Sequence, residues 1–178
     1  MTINNSSNPE IYVADLAAYN AGKLRGEWID ANQDESDIQA EIDEMLSGSP
    51  ELVAEDWAIH DYEQFYGAGS YLGEHPSLED VATAAELISE KGELAGLVIV
   101  HLCGDMDLAK NALEDSYSGE YDSLADYAEE LSEGSVGNIP DNIARYIDYE
   151  SMGRDMELGG DVFTLKTNDG KVHIFWNH

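Results

Sequence analysis

Thirteen carboxylates stand at spacings that set them in rows. Asp34, Asp37, Glu41 and Glu44 fall at i, i+3, i+7 and i+10, and Glu79, Glu86 and Glu90 at i, i+7 and i+11. Asp122, Asp126, Glu129 and Glu133 fall at i, i+4, i+7 and i+11, with Glu114 and Asp115 just ahead of them. Residues three and four apart share a helix face, so each row reads as a stripe with one carboxylate per ~5 Å of axis. Three kinds of chemistry suit such residues: docking onto a strongly basic surface, holding a cation, or acid–base catalysis.

An acidic stripe on a single helix is ordinarily a solvated face, but helix stability alone does not account for these. Residues 114–134, EDSYSGEYDSLADYAEELSEG, carry eight acids, three tyrosines and no Lys or Arg. Read as a helix, the segment packs through Tyr121, Leu124, Ala125, Ala128 and Leu131 and points its acids outward. Like charges one turn apart destabilise a helix by a few tenths of a kcal/mol per pair, on the order of 0.2–0.5. Glu130 and Glu133, read as the last turn before Gly134, oppose the macrodipole by roughly 0.3–1 kcal/mol each.

The wider charge pattern repeats the point. The chain of 178 residues has 38 acids and 8 bases, a formal net charge of −30. Gly26 to Glu90 holds 18 acids without a base, and Asn111 to Ala144 holds 9 more without one. Such a chain repels nucleic acid and anionic membranes and is drawn to basic surfaces. Thirty charges equal those on ~15 base pairs of duplex, so several stripes side by side approach the charge density of DNA.

The elements that carry the stripes follow from periodicity. IYVADL (Ile11–Leu16) and the stretch near Leu24–Ile29 read as an N-terminal hairpin. A helix over Ser36–Leu46 puts Ile38, Ile42, Met45 and Leu46 on one face. Asp56–Glu63 reads as a strand, and the Gly-rich FYGAGSYLGEHP as a loop and a candidate boundary. Ser77 caps a helix with apolar face Leu78, Val81, Ala82, Ala85 and Ile88. Glu93–Cys103, apolar almost all round, reads as a buried helix carrying His101 and Cys103 in or near the core. Asp105–Asp115 continues helically; DNIARYIDYESM reads as a helix that Gly153 ends. DVFTLK and KVHIFW around TNDG form a hairpin. The class is α+β, without internal repeats.

Several functions are disfavoured. One cysteine, Cys103, rules out an internal disulfide and suits a reducing cytoplasm. MTINNSSNPE lacks the character of a signal peptide, and Leu94–Leu102 is too short to span a bilayer, so a cytoplasmic location is expected. DANQDESDIQAE offers Asp30, Asn32, Asp34, Ser36 and Glu41 at EF-hand spacing, but Glu35 stands where that loop needs Gly. His60, Asp61 and Glu63 are adjacent, yet no catalytic motif surrounds them, and strand alternation puts His60 and Tyr62 on one face with Asp61 and Glu63 on the other. No enzyme activity, metal or cofactor is expected. Adaptation to high salt would spread acids evenly, without base-free runs of 65 and 34 residues.

IYVADLAAYNAGKLRGEWIDA, AIHDYE and IPDNIARYIDYESMGRDMEL occur in that order, and through them the chain resembles the ArdA antirestriction family. The resemblance implies a non-enzymatic DNA mimic carried by mobile genetic elements, occupying the DNA-binding groove of type I restriction–modification enzymes at their specificity and methyltransferase core. It implies an elongated homodimer of protomers with three small units in a row. On this chain these are 1–72 (sheet and helix), 73–112 (helical) and 113–178 (helices plus β-hairpin). The C-terminal unit would make the dimer contact, and Phe163, Leu165, Ile174 and Trp176 of its hairpin are the candidates.

Overall fold

A computed structural model describes residues 8–51 and 54–177; the polar lead of residues 1–7 lies outside them. Nine α-helices and two three-stranded antiparallel sheets among the described residues make an α+β protein. Two compact units divide the chain, Met1–Lys110 and Asn111–His178. Near 72/73 the chain continues into a helix that packs back on the first unit.

In the first unit, β1 (Glu10–Asp15), α1 (Leu16–Asn20) and β2 (Gly26–Asp30) form the expected hairpin with a short helix inserted at its turn. Next come α2 (Glu35–Ser47) and β3 (Trp57–Glu63), which adds to the other side of β1 to give the order β2-β1-β3. The four apolar residues expected on α2 are buried, beside Ile11 and Val13 of β1 and Ile29 of β2. The Gly-rich stretch contains α3 (Gly69–Leu72), followed by α4 (Leu78–Lys91), α5 (Glu93–His101) and α6 (Met106–Asn111). Ser77 caps α4 as its sequence indicates, accepting from the Asp80 N–H. α4 packs on both α2 and α5.

Asp15 fixes the start of this unit. Its carboxylate is fully buried, caps α1 through the Ala18 N–H at 3.0 Å and accepts from the Ser49 hydroxyl. Arg25 lies 3.8 Å from it and donates to the Met45 carbonyl at 2.9 Å. That single base ties the hairpin to the end of α2, where a cation also suits the macrodipole.

The second unit opens with a π-helical turn, Ala112–Ser116, followed by β4 (Tyr117–Tyr121) and α7 (Leu124–Val136). Residues 114–134 are therefore three elements instead of one helix. β4 pairs with a strand some fifty residues later in the chain, and that long-range pairing overrides the local acidic pattern. Gly134 lies inside α7, which ends at Gly137 with φ 82°. The stretch after Pro140 is two helices, α8 (Asp141–Ala144) and α9 (Tyr149–Gly159), followed by β5 (Val162–Lys166) and β6 (Val172–Trp176) in the order β4-β6-β5.

Gly153 sits in the middle of α9 and does not end it. A Cβ there would come within 2.9 Å of Leu124 Cγ and 3.0 Å of the Leu124 carbonyl oxygen. The glycine lets α9 approach α7 closely, and both helices cover one face of the sheet around Tyr127, Ala128, Met156, Val162 and Ile174. On the opposite face Phe163 stacks on Phe175 with centroids 4.7 Å apart, and Tyr117 lies 5.2 Å from Phe175.

Candidate functional site

All thirteen acids of the sequence-derived rows are exposed. The rows on α2 and α4 come together: Asp34, Glu79 and Glu86 line one open cleft of about 540 Å³, with Glu35, Asn32 and Gln33. Glu35 is a contributor that the spacing argument missed, because it stands between Asp34 and Asp37 and matches no stripe. Glu44 and Glu90 continue the two rows toward the ends of their helices. Glu114 and Asp115 stand on the π-helical turn, where a helical stripe is not continued.

The third row is partly dissolved by the structure. Asp122 precedes the Ser123 cap of α7, so only Asp126, Glu129 and Glu133 ride the helix. The Lys171 ammonium holds Asp122 at 2.7 Å and lies 3.9 Å from Glu120. Hydrogen bonding to Asp122, then its charge, raises the Lys171 pKa.

Several acids have local structural roles. Asp34 is the N-cap residue of α2, while Asp37 and Glu79 lie in first turns, where negative charge complements the macrodipole. Asp126 accepts from the Ser123 hydroxyl at 2.6 Å, and Glu41 from Gln33 at 2.8 Å. Glu44, Glu90 and Glu133 have the opposite placement. Each lies in the final turn of its helix, and α2 and α7 carry no base of their own there, though Arg25 of the hairpin reaches the Met45 carbonyl near the end of α2. Burial, then the charges of Glu129 and Glu133, pushes the Tyr149 phenol up.

α2 begins at Glu35, so seven of the twelve residues Asp30–Glu41 are helix and the stretch makes no EF-hand loop. Among the described residues, no group of three His, Cys, Asp or Glu side chains could hold a metal ion. His101 and Cys103 are exposed, contrary to expectation: α5 ends at His101 and the chain turns outward through Cys103 at φ 56°. His60 is one extra residue on β3 opposite the Tyr12/Val13 step, and both His60 and Asp61 face solvent. That bulge breaks the expected alternation.

The four hairpin residues divide between two faces. Ile174 is fully buried in the core under α7 and α9, and Trp176 packs on that core, donating to the Tyr127 hydroxyl at 2.7 Å. Phe163 and Leu165 are half-buried on the opposite face.

Together these features define a small α+β protein whose exposed helix faces carry carboxylates beyond what capping or ion pairing uses. The family model of the antirestriction protein ArdA matches residues 11–169, and the chain belongs to that family. The family is one of antirestriction proteins. No curated protein matches the chain. No helix among the described residues is long and apolar enough to cross a membrane.

Proposed function

We propose that this protein inhibits type I restriction–modification enzymes by occupying their DNA-binding groove, its carboxylates standing in for phosphates. The observation that carries this reading is the placement of Glu44, Glu90 and Glu133, which oppose the dipoles of their own helices. Folding gains nothing from them there, whereas a basic groove does. The cleft between the α2 and α4 rows brings two tracks together, as a duplex does with its two strands.

Association is steered by charge and weakens as salt rises. Carboxylates lack the condensed counterions of DNA, so the salt slope is shallower than that of a duplex. Contacts that imitate the backbone carry no base information, and inhibition therefore ignores the enzyme's recognition sequence. A homodimer lengthens the mimic, and the half-buried Phe163 and Leu165, on the sheet face opposite α7 and α9, are the residues we assign to that contact. The protein acts in the cytoplasm of a cell that receives a mobile element, and itself binds no nucleic acid.

The test is competition between this protein and a DNA duplex for a type I methyltransferase across a salt series. Displacement at low salt that fades as salt rises, and that holds for enzymes of different sequence specificity, is the expected result. Inhibition confined to one specificity would sink the proposal.

A further inference from the structure

A depression of about 400 Å³ beside β3 has a different character from the acidic rows. Ile59 and Phe65 are buried residues of its wall, and His60, Asp61, Tyr66 and Glu74 reach solvent. Two features of the backbone create it. The bulge at His60 turns His60 and Asp61 outward together, and the chain then folds back through a loop in which Gln64 and Tyr66 have φ of 61° and 50°. A positive φ at a bulky residue such as Tyr is an outlier that glycine would avoid.

The loop is held there from several sides. The Tyr62 hydroxyl donates to the Gly73 carbonyl and the Ser70 hydroxyl to the Gly67 carbonyl, each at 2.6 Å. The Ile59 N–H donates to the Glu74 carbonyl at 2.9 Å. Gly96 of α5 packs against Tyr66, where an added Cβ would lie 2.5 Å from the tyrosine's own. On this fixed backbone the Tyr66 side chain remains 45% exposed. A turn needing only the conformation would carry Gly or Asn; Tyr adds an aromatic face beside carboxylates.

An aromatic face next to carboxylates suits a planar cation. Guanidinium stacks on a ring while its N–H fork pairs with carboxylate, whereas ammonium is compact and strongly hydrated. We propose that this depression receives one arginine side chain of the partner protein, laid on Tyr66 and paired with Asp61 and Glu74. The proposal rests on the reading that the chain docks into a basic groove, and it names the residue type read at one point.

The test titrates the full chain with N-acetyl-arginine amide and with N-acetyl-lysine amide at matched ionic strength, following the backbone amide signals of Asp61, Gly67 and Glu74 by NMR. Saturable shifts with arginine, at an affinity roughly 3- to 30-fold above lysine, are expected. Tyr66→Phe keeps the response; Tyr66→Gly, which suits the backbone, keeps the fold and loses the response. Equal behaviour of the two amides, or a response surviving in Tyr66→Gly, overturns the assignment. In the duplex competition Tyr66→Gly also displaces DNA less well than wild type, and equal displacement overturns the assignment as well. Failure of the wild-type protein to displace DNA refutes the mimic instead, and the amide titration then decides the depression separately.

Discussion

The two units differ in fold and in core, yet they carry charge at the same density. Met1–Lys110 has 23 acids and four bases, net −19, and Asn111–His178 has 15 acids and four bases, net −11. Each is about one net negative charge per six residues. Their means of bearing it are unequal. The first unit buries a long series of side chains from its sheet and from α2, α4 and α5. The second buries eight apolar residues among those described, five of them clustered under its helices and Phe175 on the other face of its sheet. Self-repulsion scales with charge and is opposed by packing. If charge merely filled the space that the fold leaves for it, the weaker core would carry less. The uniform density therefore points to a requirement outside folding.

The largest test of that comparison truncates the core aromatic of each unit. Phe175→Ala and Phe65→Ala each remove a fully buried ring, at a cost of about 3–5 kcal/mol. With its smaller core, the second unit should lose its near-UV signal at 25 °C in Phe175→Ala, while Phe65→Ala stays folded. The reverse outcome would show that the second core is the stronger one.

Two smaller changes probe how each unit is joined internally. Gly153→Ala forces a Cβ against Leu124 and separates α7 from α9, costing about 1–3 kcal/mol in chemical denaturation. In the first unit Asp15→Asn weakens the Ser49 and Arg25 contacts, also at about 1–3 kcal/mol. Burial pushes the Asp15 carboxyl up, but bonds from Ser49, Ala18 and Ala17 and the charge of Arg25 outweigh it and hold it below the usual 3.8. As pH falls, the unfolded chain takes up this proton before the folded one. Asp15 thus contributes fully above pH ~4, and its contribution disappears as pH falls through the folded value. The stability gap between wild type and Asp15→Asn should close in that window. A gap independent of pH would show that the charge of Asp15 does not matter.

The fold was legible wherever the pattern was local. The Ile38–Ile42–Met45–Leu46 face, the Ser77 cap and the C-terminal hairpin are each determined by residues a few positions apart. What escaped depends on distant partners. β4 exists because Tyr117–Tyr121 meets β6, and Gly153 marks a close approach instead of a stop because Leu124 lies across from it. The candidate surface was legible as exposed acids, since charge and helical period together predict exposure. Their local roles were not: the Lys171 clamp on Asp122 and the bulge that turns out His60 and Asp61 both arise from strand pairing.

The smallest effects discriminate best between charge that serves the fold and charge that serves a partner. Glu44 and Glu133 occupy the same position in the two units. The carbonyl of each accepts from the N–H of the glycine that caps its helix, Gly48 and Gly137, four residues on. Glu44→Gln and Glu133→Gln each remove an anion from a negative helix end and should raise stability by about 0.3–1 kcal/mol. Each should also weaken duplex displacement slightly, because many weak contacts share the energy. The double variant should add the two gains, the sites being in separate units, and should weaken displacement by the product of the two factors. Matched losses from both positions would mean that the partner reads charge along both units. Abolition of inhibition by either change alone would identify a local hot spot and remove the case for a distributed track.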